Sequence, residues 1–159
     1  MKNILIIAWI MLSSSLLFAQ KTKTVDVVKR VSQQEYVYVV YAFGSNNNII
    51  DTTMMFHCQN SNYQHITNTI SLFRGSAKQF YIYLLALEDF VNKNISDVTD
   101  GVSINGDVNG QRVRMYKISY VIGVDVYAKD GYHSFLPKWI GKIKSQYIAW
   151  CKKNNVVYE

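Results

Sequence analysis

The sequence predicts an α+β fold: a single domain with a mainly antiparallel sheet of about six strands and two helices packed on one face. Two segments, residues 76–94 and 138–154, carry apolar residues at helical spacing. Alternating or β-branched segments precede each of them, separated by turns rich in Asn and Gly. The predicted order is therefore βββα-βββα. The chain has 159 residues, 49% of them hydrophobic and 18% charged, which is typical of one globular domain.

The first residues predict export. Lys2 gives a positive start, residues 4–12 are apolar, and Ala19-Gln20 has the character of a processing point, so residues 1–19 are interpreted as a secretory signal peptide. The alternative is a membrane anchor that is kept. No later segment is apolar enough to span a bilayer. We therefore expect cleavage near Ala19 and a mature protein in the periplasm or outside the cell, in a setting typical of a bacterial envelope.

In the first half of the chain, the sequence predicts a lead-in, three strands and a helix. Residues 20–34 are polar with scattered valines, which predicts a flexible lead-in that could pair weakly at a sheet edge; residues 35–159 form the globular domain. Residues 36–43 are β-branched and aromatic on both faces, as in a buried strand. In residues 49–57 and 66–72, apolar and polar side chains alternate, which predicts two further strands. Ser76 and Gln79 then have capping-box spacing, which predicts the start of the first helix.

The second half repeats this order. Asn109-Gly110 is a strong hairpin signal, and it predicts that residues 102–108 pair with residues 111–118. Residues 120–127 continue as a strand in which Gly123 indicates a bulge. Residues 132–135 form a short strand. Pro137 then stands where the second helix begins, at a position that needs no N–H.

The cysteines and histidines leave several interpretations open. Cys58 and Cys151 could form one disulfide in an oxidising compartment, or could be two buried free thiols in the core. His57, Cys58 and His65 lie close together in sequence, but their spacing matches no zinc module. The sequence thus predicts no metal site and no cofactor.

No catalytic residue is predicted. The chain has no G-x-S-x-G elbow, no phosphate loop and no G-x-G-x-x-G motif. Asp125 is the one carboxylate on an otherwise apolar strand, and a buried carboxylate can act as a general acid or simply accept a partner's hydrogen bond. A small hydrolase that uses Asp125 or a histidine therefore remains the alternative to a binding protein.

Basic and aromatic residues predict binding instead. Arg112 and Arg114 share one face of their strand, and tyrosines 116 and 120 lie nearby in sequence. The second helix carries lysines with no acid among them, and Tyr132 lies at a strand end where it could make contacts. The candidate ligand-binding residues are Arg112, Arg114, Tyr132, Lys138, Lys142 and Lys144.

The expected partner is an acidic protein or an anionic glycan. The formal net charge is +6 at pH 7. Export argues against nucleic acid as the main ligand. We expect charge reversal at Lys142 and Lys144 to abolish binding if the helix is the site; a simply solvated helix face is the competing interpretation. A third possibility is a structural subunit that assembles through an exposed sheet edge.

Overall fold

Two successive units, each of four strands and one helix, make up the described part of the chain. A computed structural model describes residues 21–30, 35–43, 49–62 and 68–159, so the predicted signal peptide at residues 1–19 lies outside the described residues. The first unit contains β1 (Lys21–Arg30), β2 (Glu35–Phe43), β3 (Ile49–Gln59), β4 (Thr69–Gly75) and α1 (Ala77–Asn94). The second contains β5 (Ser103–Val108), β6 (Gln111–Ile118), β7 (Val121–Ala128), β8 (Gly131–Phe135) and α2 (Pro137–Lys153).

The strands form two four-stranded antiparallel sheets, in the orders β1-β2-β3-β4 and β5-β6-β7-β8. The predicted α+β class and antiparallel pairing are confirmed. Part of the predicted lead-in, at residues 21–30, is not a loose segment but the edge strand β1, which pairs with β2 along its length. These residues therefore lie at the edge of the first sheet, a pairing that the sequence had left open.

Helix α1 begins with the predicted capping box. The backbone N–H of Gln79 donates to the Ser76 hydroxyl at 3.3 Å, and the Ser76 N–H donates to the Gln79 side-chain carbonyl at 2.9 Å. These two bonds satisfy donors that have no partner within the helix. In the described residues, no helix is long and apolar enough to cross a membrane.

The β5–β6 hairpin is also built as predicted. Asn109 and Gly110 have φ angles of 53° and 79°, the left-handed conformation that a type I′ turn requires. The register that follows places Asp107 opposite Arg112 and Asn105 opposite Arg114. This hairpin fixes which β6 side chains point toward the core.

Both helices pack on the same side of the two sheets and share one core. Its most buried members come from both sheets and both helices: Val39, Met54, Phe56, Phe80, Leu84, Leu87, Val113, Met115, Val124, Val126, Ile140, Ile143 and Tyr147. Phe80 lies at the centre, with its ring 5.9 Å from Phe56 and 4.9 Å from Tyr147. The opposite face of the second sheet is left uncovered by these helices.

Polar groups join the two units where the end of β3 meets β8. We call this contact the seam. The Ser61 N–H donates to the Tyr132 carbonyl at 2.8 Å, and the Ser134 N–H donates to the Ser61 hydroxyl at 3.2 Å. Asn60 is fully buried, and its side-chain amide donates to the Asp130 carbonyl at 3.0 Å. The seam holds the first unit at a fixed position against the last strand of the second.

Candidate functional site

The uncovered face of the second sheet carries a cluster of basic, acidic and tyrosine side chains. Along β6, Val113 and Met115 are fully buried in the core. Because side chains alternate along a strand, Arg112, Arg114 and Tyr116 lie on the opposite face. Pairing with β7 and β8 adds further residues to that face. We call this set the outer face: Arg112, Arg114, Tyr116, Asp125, Tyr127, Tyr132 and Ser134.

A buried carboxylate lies at the centre of the outer face. Asp125 is 1% exposed although α1 and α2, the two helices of the described residues, pack on the other side of the sheet. The Arg114 Nε and Nη2 donate to its Oδ2 at 3.0 and 2.5 Å, and the Ser134 hydroxyl donates to its Oδ1 at 2.6 Å. The hydrogen bond to Asp125 raises the pKa of Arg114. Both carboxylate oxygens are therefore used in holding Arg114 and Ser134 in place.

Tyr116 lies against this pair. Burial, followed by the nearby Asp125 carboxylate, raises the pKa of the Tyr116 hydroxyl, which stays protonated and able to donate. Its ring occupies the space above Gly123, where an added Cβ would come within 2.4 Å of the ring. The β6–β7 register is regular at Gly123, so this glycine makes room for Tyr116 and does not mark the predicted bulge.

Guanidinium groups stack on tyrosine rings along the outer face. The Arg112 Cζ lies 4.7 Å from the centroid of the Tyr127 ring, and the Arg114 Cζ lies 5.3 Å from that of Tyr116. The Tyr127 and Tyr132 rings are 5.4 Å apart. Stacking restrains a guanidinium while leaving its N–H edge available to an anion.

Cavities border these residues. One of about 520 Å³ opens at the seam; it is lined by Gln59, Asn60, Ser61, Tyr116, Tyr132, His133 and Ser134. Another of about 390 Å³ is lined by Arg114, Asp125 and the same two tyrosines. We call the first the seam cavity and the second the Arg114 cavity. Because both are lined by Tyr116 and Tyr132, they lie next to each other, and we call the two together the recess along the outer face.

The predicted ligand-binding residues fall into two groups. Arg112, Arg114 and Tyr132 come together on the outer face. The three lysines project from α2, in the helix layer on the other side of the sheet. Lys144 is ion-paired with Glu88 of α1, Lys142 lies 4.6 Å from the Trp139 ring centroid, and Lys138 is exposed. A ligand bound on the outer face therefore cannot contact these lysines.

Both cysteines lie in the core. Cys58 and Cys151 are fully buried and are not joined in a disulfide in this structure. Burial raises the pKa of the Cys151 thiol, and its hydrogen bond with Tyr147 opposes that shift. Both thiols are thus shielded from solvent.

Histidine placement does not assemble a metal site. In the part of the chain that the structure describes, no three His, Cys, Asp or Glu side chains come close enough to hold a metal ion. His65 lies outside the described residues. His133 is buried on the core side of β8, with Nδ1 2.7 Å from the Gln59 carbonyl and its ring edge-on to Phe135. It therefore faces away from Asp125.

Three residues that the sequence interpretation did not select also border this face. Tyr127 could have been found, because it has the same parity as Asp125 on β7 and must share its face. Arg74 and Lys129 lie with Arg112 around a further cavity between β4 and the second sheet. No sequence pattern identifies them, because β4 and the end of β7 are brought together only by packing of the two units.

Comparison of the chain with protein-family models, with curated proteins and with solved structures finds no match.

Proposed function

We propose that this chain is an exported, non-catalytic binding protein whose outer face holds an acidic protein or glycan. The observation that supports this is the pair of guanidinium–tyrosine stacks, Arg112 on Tyr127 and Arg114 on Tyr116. Guanidinium groups fixed in this way suit bidentate contacts with carboxylate or sulfate oxygens. Helices α1 and α2 pack on the other side of the sheet, and Arg112 on this face is exposed. Export rests on the signal-peptide pattern of residues 1–19.

The seam cavity favours a glycan over a protein. Its lining combines polar residues that carry amide, hydroxyl and imidazole groups with two tyrosines: Gln59, Asn60, Ser61, His133, Ser134, Tyr116 and Tyr132. Amides and hydroxyls match sugar hydroxyl groups, and tyrosine rings offer an apolar face with a polar tip. A volume of about 520 Å³ is enough for one or two sugar units. An acidic sugar chain could then place its rings in this recess and its carboxylates near the arginines.

The arrangement around Asp125 argues against the hydrolase alternative. A general acid or base has to reach the substrate with its carboxyl group. Here Oδ2 accepts two bonds from Arg114 and Oδ1 accepts one from Ser134. His133 lies on the core side of β8 and contacts the Gln59 carbonyl. Asp125 is better suited to hold Arg114 in its position than to transfer a proton.

Calorimetric titration of the purified protein tests the proposal. The probes are a charged oligouronate, a neutral oligosaccharide of the same length and polyglutamate. We expect the oligouronate to bind, and its affinity to fall as salt rises towards about 0.15 M, where the screening length is about 8 Å. Arg112→Glu should weaken binding by roughly tenfold or more, because a charge-assisted hydrogen bond is replaced by repulsion.

Lys138→Glu is the matched control, since it makes the same charge change on the helix layer. It should leave binding nearly unchanged. Equal losses in Arg112→Glu and Lys138→Glu would show that only net charge matters, and would refute a site on the outer face. Binding of polyglutamate without binding of the oligouronate would assign the face to an acidic protein.

A further inference from the structure

A third cavity lies where the two units face each other beside the outer face. It has a volume of about 620 Å³. One wall is β4, from Ser71 to Arg74; the others are the β5–β6 turn with Arg112, and the end of β7 with Tyr127 and Lys129. We call it the cationic cavity. It adjoins the recess described above, because the ring of Tyr127 in its wall packs against the ring of Tyr132.

Three cations line this cavity without an ion-pair partner among the described residues. They are Arg74, Arg112 and Lys129, and all three are exposed. Across the described ranges, none of the three makes an ion pair. Asp107 lies opposite Arg112 in the β5–β6 register, but its Oδ1 accepts the Gly110 N–H of the turn at 2.7 Å. Like charges placed together cost free energy unless an anion joins them.

The floor of the cavity is polar but uncharged. The Tyr83 hydroxyl donates to the Gln111 side-chain carbonyl at 2.7 Å, and the Gln111 amide donates to the Leu72 carbonyl at 3.2 Å. Burial raises the pKa of Tyr83, which keeps the hydroxyl neutral. The floor therefore supplies no negative charge to offset the three cations. Its hydrogen bonds also connect β4 to the start of β6, so the distance between Arg74 and Arg112 is held by the fold.

We propose that the cationic cavity binds an oxyanion group, a carboxylate or a sulfate, of the acidic ligand. This inference rests on the proposed function and adds a residue from the first unit, Arg74, to the site. Arg112 is positioned by its stack on Tyr127, and Arg74 and Lys129 approach from the two other walls. A ligand whose rings lie over Tyr116 and Tyr132 can then place its charged group between the units.

Nuclear magnetic resonance with inorganic sulfate tests the cavity directly. Sodium sulfate is titrated against sodium chloride at matched ionic strength, and backbone amide shifts are followed. We expect saturable shifts at Arg74, Gly110 and Gln111 with sulfate, and shifts without saturation with chloride. Arg74→Gln and Lys129→Gln should each weaken sulfate binding by roughly tenfold, while the matched control Lys138→Gln leaves it unchanged. Identical responses to sulfate and chloride would overturn the proposal.

The same variants titrated with the oligouronate separate this inference from the proposed function. Weaker binding in both Arg112→Glu and Arg74→Gln supports both. Weaker binding in Arg112→Glu alone keeps the outer face and overturns the subsite. Saturable, Arg74-dependent sulfate binding without any oligouronate binding supports the anion site and refutes the function. Thermal melts of Arg74→Gln should match the parent, because Arg74 is exposed and makes no ion pair with the described residues.

Discussion

Replacement of Arg114 by methionine would leave the Asp125 carboxylate buried without its cation. Asp125 is 1% exposed, and two of its three side-chain hydrogen bonds come from the guanidinium. Ser134 would remain as a single neutral donor. Removing one partner of a buried ion pair costs about 3–5 kcal/mol. The Arg114 side chain is 37% exposed, so water can reach the vacated space and the lower end, about 3 kcal/mol, is expected.

Urea unfolding followed by circular dichroism measures this cost. For a domain of this size, about 3 kcal/mol corresponds to a fall in Tm of roughly 10 °C. Arg112→Met is the matched control. It makes the same chemical change on the same face, but Arg112 is not hydrogen-bonded to a buried carboxylate of the described residues, so the free energy of unfolding should change by less than about 1 kcal/mol. The double variant Arg114→Met/Asp125→Asn should recover most of the loss, since no buried charge is left.

A loss below about 1 kcal/mol in Arg114→Met would refute the reasoning, because it would mean that water solvates the carboxylate as well as the guanidinium does. A double variant no more stable than Arg114→Met would also contradict it. The cost would then arise from lost packing of the arginine stem and not from an uncompensated charge.

Three further changes test other parts of the structure. Gly131→Ala would bring a Cβ within 2.3 Å of the buried Asn60 side chain, so the free energy of unfolding in urea should fall by about 2–3 kcal/mol. An unchanged unfolding midpoint would mean that the seam accommodates the added methyl group without strain. Cys58 and Cys151 are buried, and burial raises the pKa of Cys151, so Ellman's reagent should label them only after unfolding; fast labelling of the native protein would contradict this. Burial lowers the pKa of His57 below 6.5, so its contribution to stability is full above that pH and declines as pH falls through the lowered value. His57→Gln should therefore lose less stability on acidification from pH 7 than the parent does, and equal slopes would disprove the effect.

Local patterns were enough to predict both helices and most of the strands, but not strand β1 or the division of the eight described strands into two sheets. The capping box of Ser76 and Gln79, the turn at Asn109-Gly110 and the start of α2 at Pro137 all stand where the sequence placed them. Each depends on interactions between residues a few positions apart, which sequence spacing determines directly. Alternation along β6 likewise placed Arg112 and Arg114 together on one face.

Contacts between distant segments could not be predicted in this way. The sequence grouped the lysines of α2 with Arg112 and Arg114, because both sets are basic, and the structure separates them by the thickness of a sheet and a helix layer. Weaker ligand binding is therefore expected from charge reversal at Arg112 on the outer face and not from charge reversal at Lys142 and Lys144. For the same reason, Arg74 is included in the sulfate test. Spacing shows which side chains share a strand face, but it does not show which edge of β4 meets the end of β7.

The seam also bears on the order in which the molecule folds. In both sheets each strand pairs with its neighbour in sequence, so the strand pairings are local and their loops are short to close. Joining Gln59–Ser61 to Tyr132–Ser134 instead closes a loop with more than 70 residues between its ends. Formation of this joint is therefore the entropically costly event; the seam cavity lies along it, and the cationic cavity lies between the same two units. A nascent or partly unfolded chain would contain most of its hairpins yet have no assembled site, so ligand affinity would report completion of the last long-range contact.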